Sequence, residues 1–162
     1  MASRTAKNPK TCHERALGLL AVRARSRREL ESRLRQAGFE PEEIDDVLDR
    51  LERVGLVDDA AFARQVAEHR FGVRRSGARA VTSELLAKGV AASLVAEVVG
   101  EAGPDEDDRA DALAASRAPR LRSVEPAKAF QRLSTFLMRR GYGPEIARRA
   151  ARKALALSEG DE

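Results

Sequence analysis

The sequence predicts an all-α protein of three tandem three-helix repeats. Three glycines, Gly38, Gly89 and Gly141, recur 51 and 52 residues apart. Apolar residues stand four and eight positions before each glycine, which is the spacing of one helix face. No segment alternates apolar and polar residues between turn signals, as a strand would. Self-similarity at this period indicates one helical module of about 50 residues used three times.

Hydroxyl and carboxyl side chains mark where the first two helices begin. Thr11 with Glu14, and Ser26 with Glu29, fit the capping box, in which a hydroxyl and a carboxylate satisfy free N–H groups of the first turn. The periodicity then predicts nine helices, over residues 12–24, 27–37, 41–54, 59–72, 77–88, 91–101, 107–118, 126–140 and 144–157. The least regular connection is 117–126, which we expect to be a hinge.

Acidic pairs and prolines mark the starts of later helices. Asp58–Asp59 and Asp107–Asp108 each stand just ahead of an alanine-rich helical segment. A carboxylate there accepts N–H bonds and suits the positive end of the helix, for about 1 kcal/mol. Proline is tolerated in a first helical turn, and three prolines lie at such positions: Pro41, Pro126 and Pro144.

The stretch QAGFEPEEI, residues 36–44, is interpreted as a boundary between two helices rather than as a binding loop. Gly38 can take the left-handed conformation that closes a helix. We expect Phe39 to pack its ring on the core, as Val90 and Tyr142 would at the same place in their repeats. The last helix has a thinner apolar face, with alanine where earlier repeats have larger residues: Ala147, Ala150 and Ala151.

These signals divide the chain into three repeats and two tails. The repeats are expected over residues 12–57, 58–103 and 104–157. Residues 1–11 form a basic N-terminal tail that we expect to be disordered, and residues 158–162 form an acidic C-terminal tail. Repeats that bury their own apolar faces favour a monomer.

Composition limits the class of protein. The chain is 43% hydrophobic, but no apolar run approaches the roughly 20 residues that span a bilayer. The basic segment 1–10 has no apolar stretch behind it, so it is not a secretory signal, and we expect a cytoplasmic protein without membrane contact. Cys12 is the only cysteine, which excludes an internal disulfide and a cysteine-rich zinc site.

No residue pattern indicates catalysis, and we expect no enzyme activity, cofactor or metal. The sequence lacks the G-x-x-x-x-G-K-[ST] phosphate loop of nucleotide hydrolases and the G-x-S-x-G elbow of serine hydrolases. His13 and His69 are isolated in the sequence. The acidic run PDEDD, residues 104–108, could hold a metal in a nuclease, but consecutive carboxylates at a helix start are more often a cap and a solvated turn.

Arginine clusters recur at the turn that precedes the second helix of each repeat. Arginine binds phosphate or carboxylate through a bidentate fork, so nucleic acid and an acidic protein surface both fit as partners. A single cluster is most simply a solvated face, whereas three at matching positions predict a binding surface. The few aromatic residues fit core positions better than stacking platforms. The candidate binding residues are Arg23, Arg25, Arg27, Arg28, Arg70, Arg74, Arg75, Arg79, Arg117, Arg120 and Arg122.

Several motifs resemble the RecX family, bacterial regulatory proteins that act on the RecA recombinase. The most specific is LERVGLVDDAAFARQ, residues 51–65, which is similar to the family's Gly-hydrophobic-hydrophobic-Asp-Asp-x-x-Phe-Ala pattern. SRREL at 26–30 and the R-x-G-x-x-x-V-x-x-E-L-x-x-K-G-V spacing over 75–90 also fit, and the likeness covers residues 14–157. The residues given a structural role by this pattern and by the repeat are Gly38, Gly55, Leu56, Asp58, Asp59, Phe62, Ala63, Gly89 and Gly141.

The resemblance implies an elongated, curved array of helix-turn-helix-like modules. It also implies a non-enzymatic regulator that binds the RecA filament on single-stranded DNA, in the filament groove. Such a protein would hinder ATP hydrolysis, strand exchange and cleavage of LexA-type repressors, and so modulate homologous recombination, DNA repair and the SOS response. Net charge is compatible with a partner made of protein and DNA, because it alternates along the chain, with +7 over residues 1–37 and −7 over 38–59.

Two other functions are open from the sequence. One is a helical DNA-binding protein that uses the arginine clusters directly on phosphates. Comparing bare DNA with RecA-coated DNA separates it from a RecX-like function, because phosphate contacts make affinity steeply salt-dependent. The other is a metal-dependent hydrolase or nuclease, for which turnover would be lost on changing Asp107 and Asp108.

Overall fold

The computed structural model describes residues 9–101 and 105–156, and over these ranges it contains helices and no strand. The α-helices there are α1 (Cys12–Val22), α2 (Arg27–Gln36), α3 (Pro41–Arg53), α4 (Asp59–Glu68), α5 (Ala78–Ala87), α6 (Ala92–Glu101), α7 (Glu106–Arg117), α8 (Pro126–Arg139) and α9 (Pro144–Leu155). The all-α prediction is confirmed, and every helix starts within one residue of its predicted start. None of these helices is long and apolar enough to cross a membrane. Most of both predicted tails, and the last residue of the ninth predicted helix, lie outside the described residues.

Contacts divide the chain into two compact units. Unit 1 comprises Met1–Phe62 together with Lys88–Val90, the loop between α5 and α6. Unit 2 comprises Ala63–Ala87 and Ala91–Glu162. Each unit has its own buried cluster of side chains, and the two clusters differ in composition.

The core of unit 1 consists mainly of branched aliphatic side chains from its first three helices and the turn after α3. Leu30 and Leu34 of α2 are fully buried, since their spacing of four places them on one helix face. Complete burial of one such side chain stabilises the fold by roughly 1.5–3 kcal/mol. Phe39 is partly buried against this cluster, which confirms the prediction for its ring. The buried members are Cys12, Ala16, Leu30, Leu34, Ile44, Val47, Leu48, Leu51 and Val57.

Within unit 2, the buried cluster formed by α7, α8, α9 and the turn after α8 is built largely from alanine. Helices that present single methyl groups can approach one another closely, because interaxial distance depends on the side chains at the contact. The predicted thin apolar face of α9 is confirmed as a buried alanine face that clusters with alanines of α7, and larger side chains from α8 and the turn after it complete the core. The buried members are Ala110, Ala114, Leu133, Leu137, Tyr142, Ala147, Ala150 and Ala151.

Both predicted capping boxes are present. The Thr11 hydroxyl accepts from the Glu14 N–H at 3.2 Å, and the Glu14 carboxylate accepts from the Thr11 N–H at 2.9 Å. Ser26 and Glu29 repeat the arrangement at 3.1 and 3.2 Å. Asp58 also acts as predicted, accepting from the N–H of residue 61 at 2.9 Å. Local sequence therefore sets these three helix starts.

Asp107 and Asp108 do not cap α7, contrary to the prediction. The helix begins at Glu106, so both aspartates lie inside its first turn, and the residue before the helix makes no side-chain cap bond. Asp107 instead pairs with Arg149 of α9 at 2.7 Å. Both carboxylates still lie near the positive end of the helix, where their charge is favourable.

Glycine and proline divide the helices as predicted. Gly38, Gly89 and Gly141 follow α2, α5 and α8 with left-handed φ angles of 91°, 77° and 94°. Proline occupies the first turn of α3, α8 and α9. The repeated glycine thus ends the second helix of each three-helix segment, and the QAGFEPEEI stretch contains such a boundary.

The fourth helical segment reaches residue 73, one residue beyond its predicted end, but its last turn is not α-helical. Its α-helical part ends at Glu68, and a π-helical turn, His69–Val73, follows. A π turn is wider than an α turn and shifts which side chains face inward. Phe71 is buried within it, whereas Val73 is 73% exposed. Arg75 then takes a left-handed φ of 48°, a conformation that costs a non-glycine residue about 1–2 kcal/mol.

The connection between α7 and α8 contains a single 3₁₀ turn, Ala118–Leu121. The Val124 N–H donates to the Leu121 carbonyl at 3.0 Å, so the backbone remains hydrogen-bonded after the turn. The role of this segment as a hinge stays a prediction.

Candidate binding surfaces

The first arginine cluster surrounds the turn from α1 into α2, within unit 1. Arg23 donates to the Glu29 carboxylate at 2.9 Å and to the Ala24 carbonyl at 2.9 Å. Arg25 Nε donates to the Leu19 carbonyl at 3.3 Å. These two arginines therefore hold the turn itself together.

Arg27 is the most extensively paired arginine of this cluster. Its guanidinium lies 2.8 Å from Glu52, 2.9 Å from Asp49 and 3.5 Å from Asp45, all on α3. Burial alone would lower the pKa of Arg27, but the three carboxylates raise it above its ordinary value. Because three carboxylates already surround its guanidinium, Arg27 would bind an external anion only weakly. Its main role is to join α2 to α3.

The starts of α2 and α5 each receive a carboxylate from a later helix. Asp59 Oδ1 accepts from the backbone N–H of Arg27 at 2.8 Å. Glu106 Oε1 accepts in the same way from the backbone N–H of Ala78 at 2.9 Å. Each carboxylate satisfies an N–H group that a helix start leaves free. Asp59 therefore caps α2 and not the helix that it begins, which corrects its predicted role.

The loop between α5 and α6 lies on the start of α2. Ser26 Oγ donates to the Lys88 carbonyl at 2.5 Å, so the capping serine also fixes this loop. The aliphatic stem of Arg28 occupies the space that a side chain on Gly89 would need. The guanidinium of Arg28 stays exposed.

Glu29 is the electrostatic centre of this arrangement. Burial alone would raise the pKa of its carboxyl group. Hydrogen bonds from Arg23 and from the Ser26 N–H, with the charge of Lys88 3.6 Å away, instead hold that pKa below its ordinary 4.5. The carboxylate is therefore stabilised in its charged form.

The second cluster, in unit 2, contains one paired arginine and three exposed ones. Arg70 donates to the Glu84 carboxylate at 2.8 Å. Arg74, Arg75 and Arg79 are exposed. The left-handed turn at Arg75 is held by its carbonyl, which accepts from the hydroxyl of Tyr142 at 2.7 Å. Because that tyrosine is 1% exposed, the turn is tied to the core of unit 2.

Two glycines meet beside the second cluster. The Gly77 N–H donates to the Arg140 carbonyl at 2.8 Å, and the Arg79 N–H donates to the Gly141 carbonyl at 3.1 Å. A Cβ atom at Gly77 would lie 2.3 Å from the carbonyl carbon of Gly141. One at Gly141 would lie 2.3 Å from the Cβ of Ala80. Glycine is required at both positions because the two backbones touch.

The third cluster lies along the connection before α8. The Arg117 guanidinium stacks 4.6 Å from the ring centre of Phe136. Arg120 and Arg122 are exposed. Arg122 lines a groove of about 430 Å³ whose apolar side is formed by residues such as Leu155.

The third cluster has a different helical register from the other two. Arg27 and Arg79 stand three and two residues before the buried Leu30 and Val81. Arg122, the last of the third cluster, stands eleven residues before the corresponding Leu133. Because α8 has 14 residues against 10 in α2 and α5, the third cluster lies at least one turn farther from the shared core position.

The structure separates the eleven candidate arginines into two groups. Five are paired or stacked as described above: Arg23, Arg25, Arg27, Arg70 and Arg117. The others are exposed and, within the described ranges, have no ion pair and no side-chain hydrogen bond: Arg28, Arg74, Arg75, Arg79, Arg120 and Arg122. The binding role of both groups stays a prediction.

The residues of the LERVGLVDDAAFARQ motif mostly surround the end of α3 and the start of α4. Gly55 has a left-handed φ of 76°. Phe62 is 6% exposed and Ala63 is fully buried. Leu56 is 54% exposed, whereas its neighbour Val57 takes the core position.

No metal-binding group of three or more His, Cys, Asp or Glu side chains occurs among the residues that the structure describes. Cys12 is 1% exposed, and burial, with the nearby charge of Glu43, raises the pKa of its thiol. The thiol is therefore neutral and part of the core.

Sequence reasoning misses a further set of cations, on α8. Lys128, Arg132 and Arg139 are exposed along that helix. Two signals could have found them: their spacing of four and seven residues, and the lack of any Asp or Glu within Pro126–Arg139.

The fold and these surfaces define an all-α protein of successive three-helix segments with arginine-rich helix starts. Models of the first, second and third three-helix domains of RecX match residues 12–51, 58–99 and 105–151. The chain belongs to the RecX family of regulatory proteins.

Named relatives cover most of the chain. The regulatory protein RecX of Streptomyces coelicolor is 36% identical over 147 residues, which are 90% of this chain and 78% of that protein. The regulatory protein RecX of Mycobacterium tuberculosis is 41% identical over 138 residues, 81% of this chain and 78% of that protein. The crystal structure of RecX from Lactobacillus salivarius has the same fold, with a TM-score of 0.80 at 17% identity over 90% of this chain and 96% of that one.

Proposed function

We propose that this protein is a non-enzymatic regulator of the RecA recombinase. It binds the RecA filament on single-stranded DNA, within the filament groove, and inhibits ATP hydrolysis, strand exchange and repressor cleavage. In this way it modulates homologous recombination, DNA repair and the SOS response in the cytoplasm. The observation that carries the proposal is the match of all three RecX domains, each to its own three-helix segment of the chain.

Several weak contacts suit a filament as the partner. A filament repeats one surface many times, so a protein that contacts it at several places gains from effective concentration. The exposed arginines come from three different turns of the chain, and we assign the filament contacts to them: Arg28, Arg74, Arg75, Arg79, Arg120 and Arg122. The paired or stacked arginines then stabilise the conformation of these turns.

Three modules and two tails make up the regulator in this proposal. The modules are residues 12–57, 58–103 and 104–157, and the tails are 1–11 and 158–162. Each module closes its second helix with a glycine. In this proposal the repeats bury their apolar faces within the chain, so the protein acts as a monomer.

The decisive measurement is RecA ATP hydrolysis on single-stranded DNA with the protein added below one copy per RecA. Inhibition is expected well below equimolar amounts, because one bound copy contacts neighbouring RecA protomers. The absence of any effect on ATP hydrolysis would overturn the proposal.

Charge reversal tests the assigned arginines. The triple variant Arg74→Glu, Arg75→Glu, Arg79→Glu should inhibit RecA more weakly, with helix content by circular dichroism unchanged. A matched control reverses three exposed cations of unit 1 that have no ion pair among the described residues: Arg15, Arg33 and Arg53. If the triple variant inhibits RecA as strongly as the control variant does, the contact surface does not include these three arginines.

Direct binding to DNA phosphates is the second candidate function, favoured by the exposed cations without carboxylate partners. Titration of bare and RecA-coated oligonucleotides separates the two functions. About six phosphate contacts lower affinity roughly a thousandfold between 50 and 200 mM salt. Equal affinity for bare and coated DNA would replace the regulator proposal with this one.

A further inference from the structure

A row of cations follows one face of α8 in unit 2. Lys128, Arg132 and Arg139 are all exposed. Positions separated by four and by eleven residues lie on one side of an α-helix, within about 40° of each other. At a rise of 1.5 Å per residue, the row is about 16 Å long. The three charges therefore form one continuous stripe.

Among the residues that the structure describes, no carboxylate forms an ion pair with this stripe. The Glu125 carboxylate, one residue before α8, caps the helix by accepting from the backbone N–H groups of Ala127 and Lys128. Helix α8 contains no Asp or Glu, and none of the three cations forms an ion pair among the residues that the structure describes. The adjacent helix α9 differs, because its Arg149 pairs with Asp107 and its Lys153 pairs with Asp111. Arg149 and Lys153 of α9 thus serve the fold, whereas the three cations of α8 are available to a partner.

The stripe borders a shallow groove of about 330 Å³. Its apolar floor is Phe136, which is partly buried and lies 4.6 Å under the guanidinium of Arg117. The lining is otherwise cationic or neutral and polar, without a carboxylate: Lys128, Gln131, Arg132, Thr135 and Arg139.

We propose that this face of α8 binds the phosphate backbone of a nucleic-acid strand. Lys128, Arg132 and Arg139 contact phosphates in succession, and Gln131 and Thr135 donate hydrogen bonds to phosphate or sugar oxygens. These are the side chains through which proteins position a nucleic-acid backbone without reading its sequence. The proposal stands whether or not RecA is a partner.

The chemistry of the groove favours phosphate over an acidic protein. Protein interfaces are organised around buried aromatic or apolar anchors, with charged residues at the rim. Here the groove lining contains one apolar side chain, Phe136, which is partly buried and is surrounded by cationic and polar side chains. The exposed apolar residue of α8, Met138 at 38%, lies about 100° away around the helix.

Fluorescence anisotropy of the full chain with a labelled oligothymidine of about 30 nucleotides tests the proposal. The variant Lys128→Gln, Arg132→Gln, Arg139→Gln should bind about tenfold more weakly or worse near 50 mM salt. Three lost contacts to a single strand should also reduce the slope of log affinity against log salt by about 2. The matched control is Arg15→Gln, Arg33→Gln, Arg53→Gln, which removes the same charge from exposed sites of unit 1 and should bind like the unmodified chain.

Three results would overturn the proposal. Unchanged binding by the α8 variant would show that phosphates do not use this face. An equal loss of affinity in the control variant would show that binding depends on the net charge of the protein and not on this face. Sodium polyglutamate bound as tightly as the oligonucleotide, with the same loss in the α8 variant, would assign the face to protein carboxylates. RecA inhibition is not a readout here, so failure of the regulator proposal would leave this one standing.

Discussion

The starts of α2 and α5 receive a later turn of the chain in the same way but with different chemistry. In unit 1, the turn Lys88–Val90 lies on the start of α2. Side chains make that contact: Ser26 Oγ donates to the Lys88 carbonyl, and the stem of Arg28 covers Gly89. The same serine caps α2 through its box with Glu29.

In unit 2, the turn after α8 lies on the start of α5, and the contact is between backbones. The Gly77 N–H donates to the Arg140 carbonyl, and the two glycines, Gly77 and Gly141, leave no room for a Cβ atom. Gly77 stands where Ser26 does, four residues before the shared buried position, and Ala80 stands where Glu29 does.

The difference shows how one arrangement of helices tolerates two solutions. A serine at this position caps the helix and bonds the later turn through its side chain, which keeps the two backbones apart. A glycine provides no cap but allows the two backbones to touch. Both starts keep the carboxylate from a later helix, Asp59 for α2 and Glu106 for α5. The contact in unit 1 therefore depends on polar side chains, including the ion pair of Glu29 with Lys88, and the contact in unit 2 depends on backbone packing.

The largest expected effect is from filling the glycine contact in unit 2. Gly141→Ala combines a left-handed φ of 94° with a Cβ that would lie 2.3 Å from that of Ala80. The left-handed conformation costs about 1–2 kcal/mol and overpacking about 1–3 kcal/mol, so the free energy of unfolding in urea should fall by about 3 kcal/mol.

Gly38→Ala is the matched control, because Gly38 has a φ of 91° but nothing within 4 Å of an added Cβ. Its cost should be the conformational part alone, about 1–2 kcal/mol. If both substitutions cost the same, a Cβ atom at Gly141 fits beside Ala80 and the packing there is not close. Gly77→Ala, which has an ordinary φ, then shows whether the backbones touch at all.

Ser26→Ala should have the next largest effect, in unit 1. It removes an N-cap, worth about 1 kcal/mol, and leaves the Lys88 carbonyl without its donor, for about 1 kcal/mol more. Thr11→Ala is the control, since Thr11 makes a capping box at α1 without a loop partner. Urea unfolding should show the Ser26 variant losing about twice as much free energy. Equal losses would mean that the bond to Lys88 is not stabilising.

The helix limits could be predicted from sequence because their causes are local. The boxes at Thr11 and Ser26 and the closing Gly38 each act within a few residues. The roles of Asp59 and Glu106 could not be predicted, since each accepts from a backbone N–H 32 or 28 residues earlier in the chain. The π turn could not be predicted either, because the periodicity of apolar residues does not show which carbonyl accepts from a given N–H group.

The candidate surfaces divide in the same way. The arginine clusters are visible in the sequence, but which arginines stay available depends on distant carboxylates. Arg27 is neutralised by residues 18–25 positions later, on α3. The stripe on α8, by contrast, is local, and the lack of carboxylates in that helix could have identified it.

The smallest expected effect is a pH dependence confined to unit 1. Because the folded protein lowers the pKa of Glu29 below its ordinary 4.5, the charged carboxylate stabilises the fold above that pH. The contribution is lost as the pH falls through the lowered value, when the group is protonated in both states. For a partly exposed ion pair we expect about 0.2–1 kcal/mol.

Glu29→Gln isolates this contribution, since glutamine keeps the capping-box geometry and removes the charge. The difference in free energy of unfolding between the unmodified chain and this variant should be positive near pH 7 and shrink toward zero as the pH falls below 4.5 and through the lowered pKa of Glu29. A difference that stays constant or grows on acidification would show that Glu29 acts only as a neutral cap. Ala80, at the equivalent position of α5, has no titrating group. Added side-chain volume should therefore weaken the glycine contact in unit 2, whereas protonation of a carboxylate at the position of Ala80 cannot. This difference distinguishes a packing contact from one that includes a charged group.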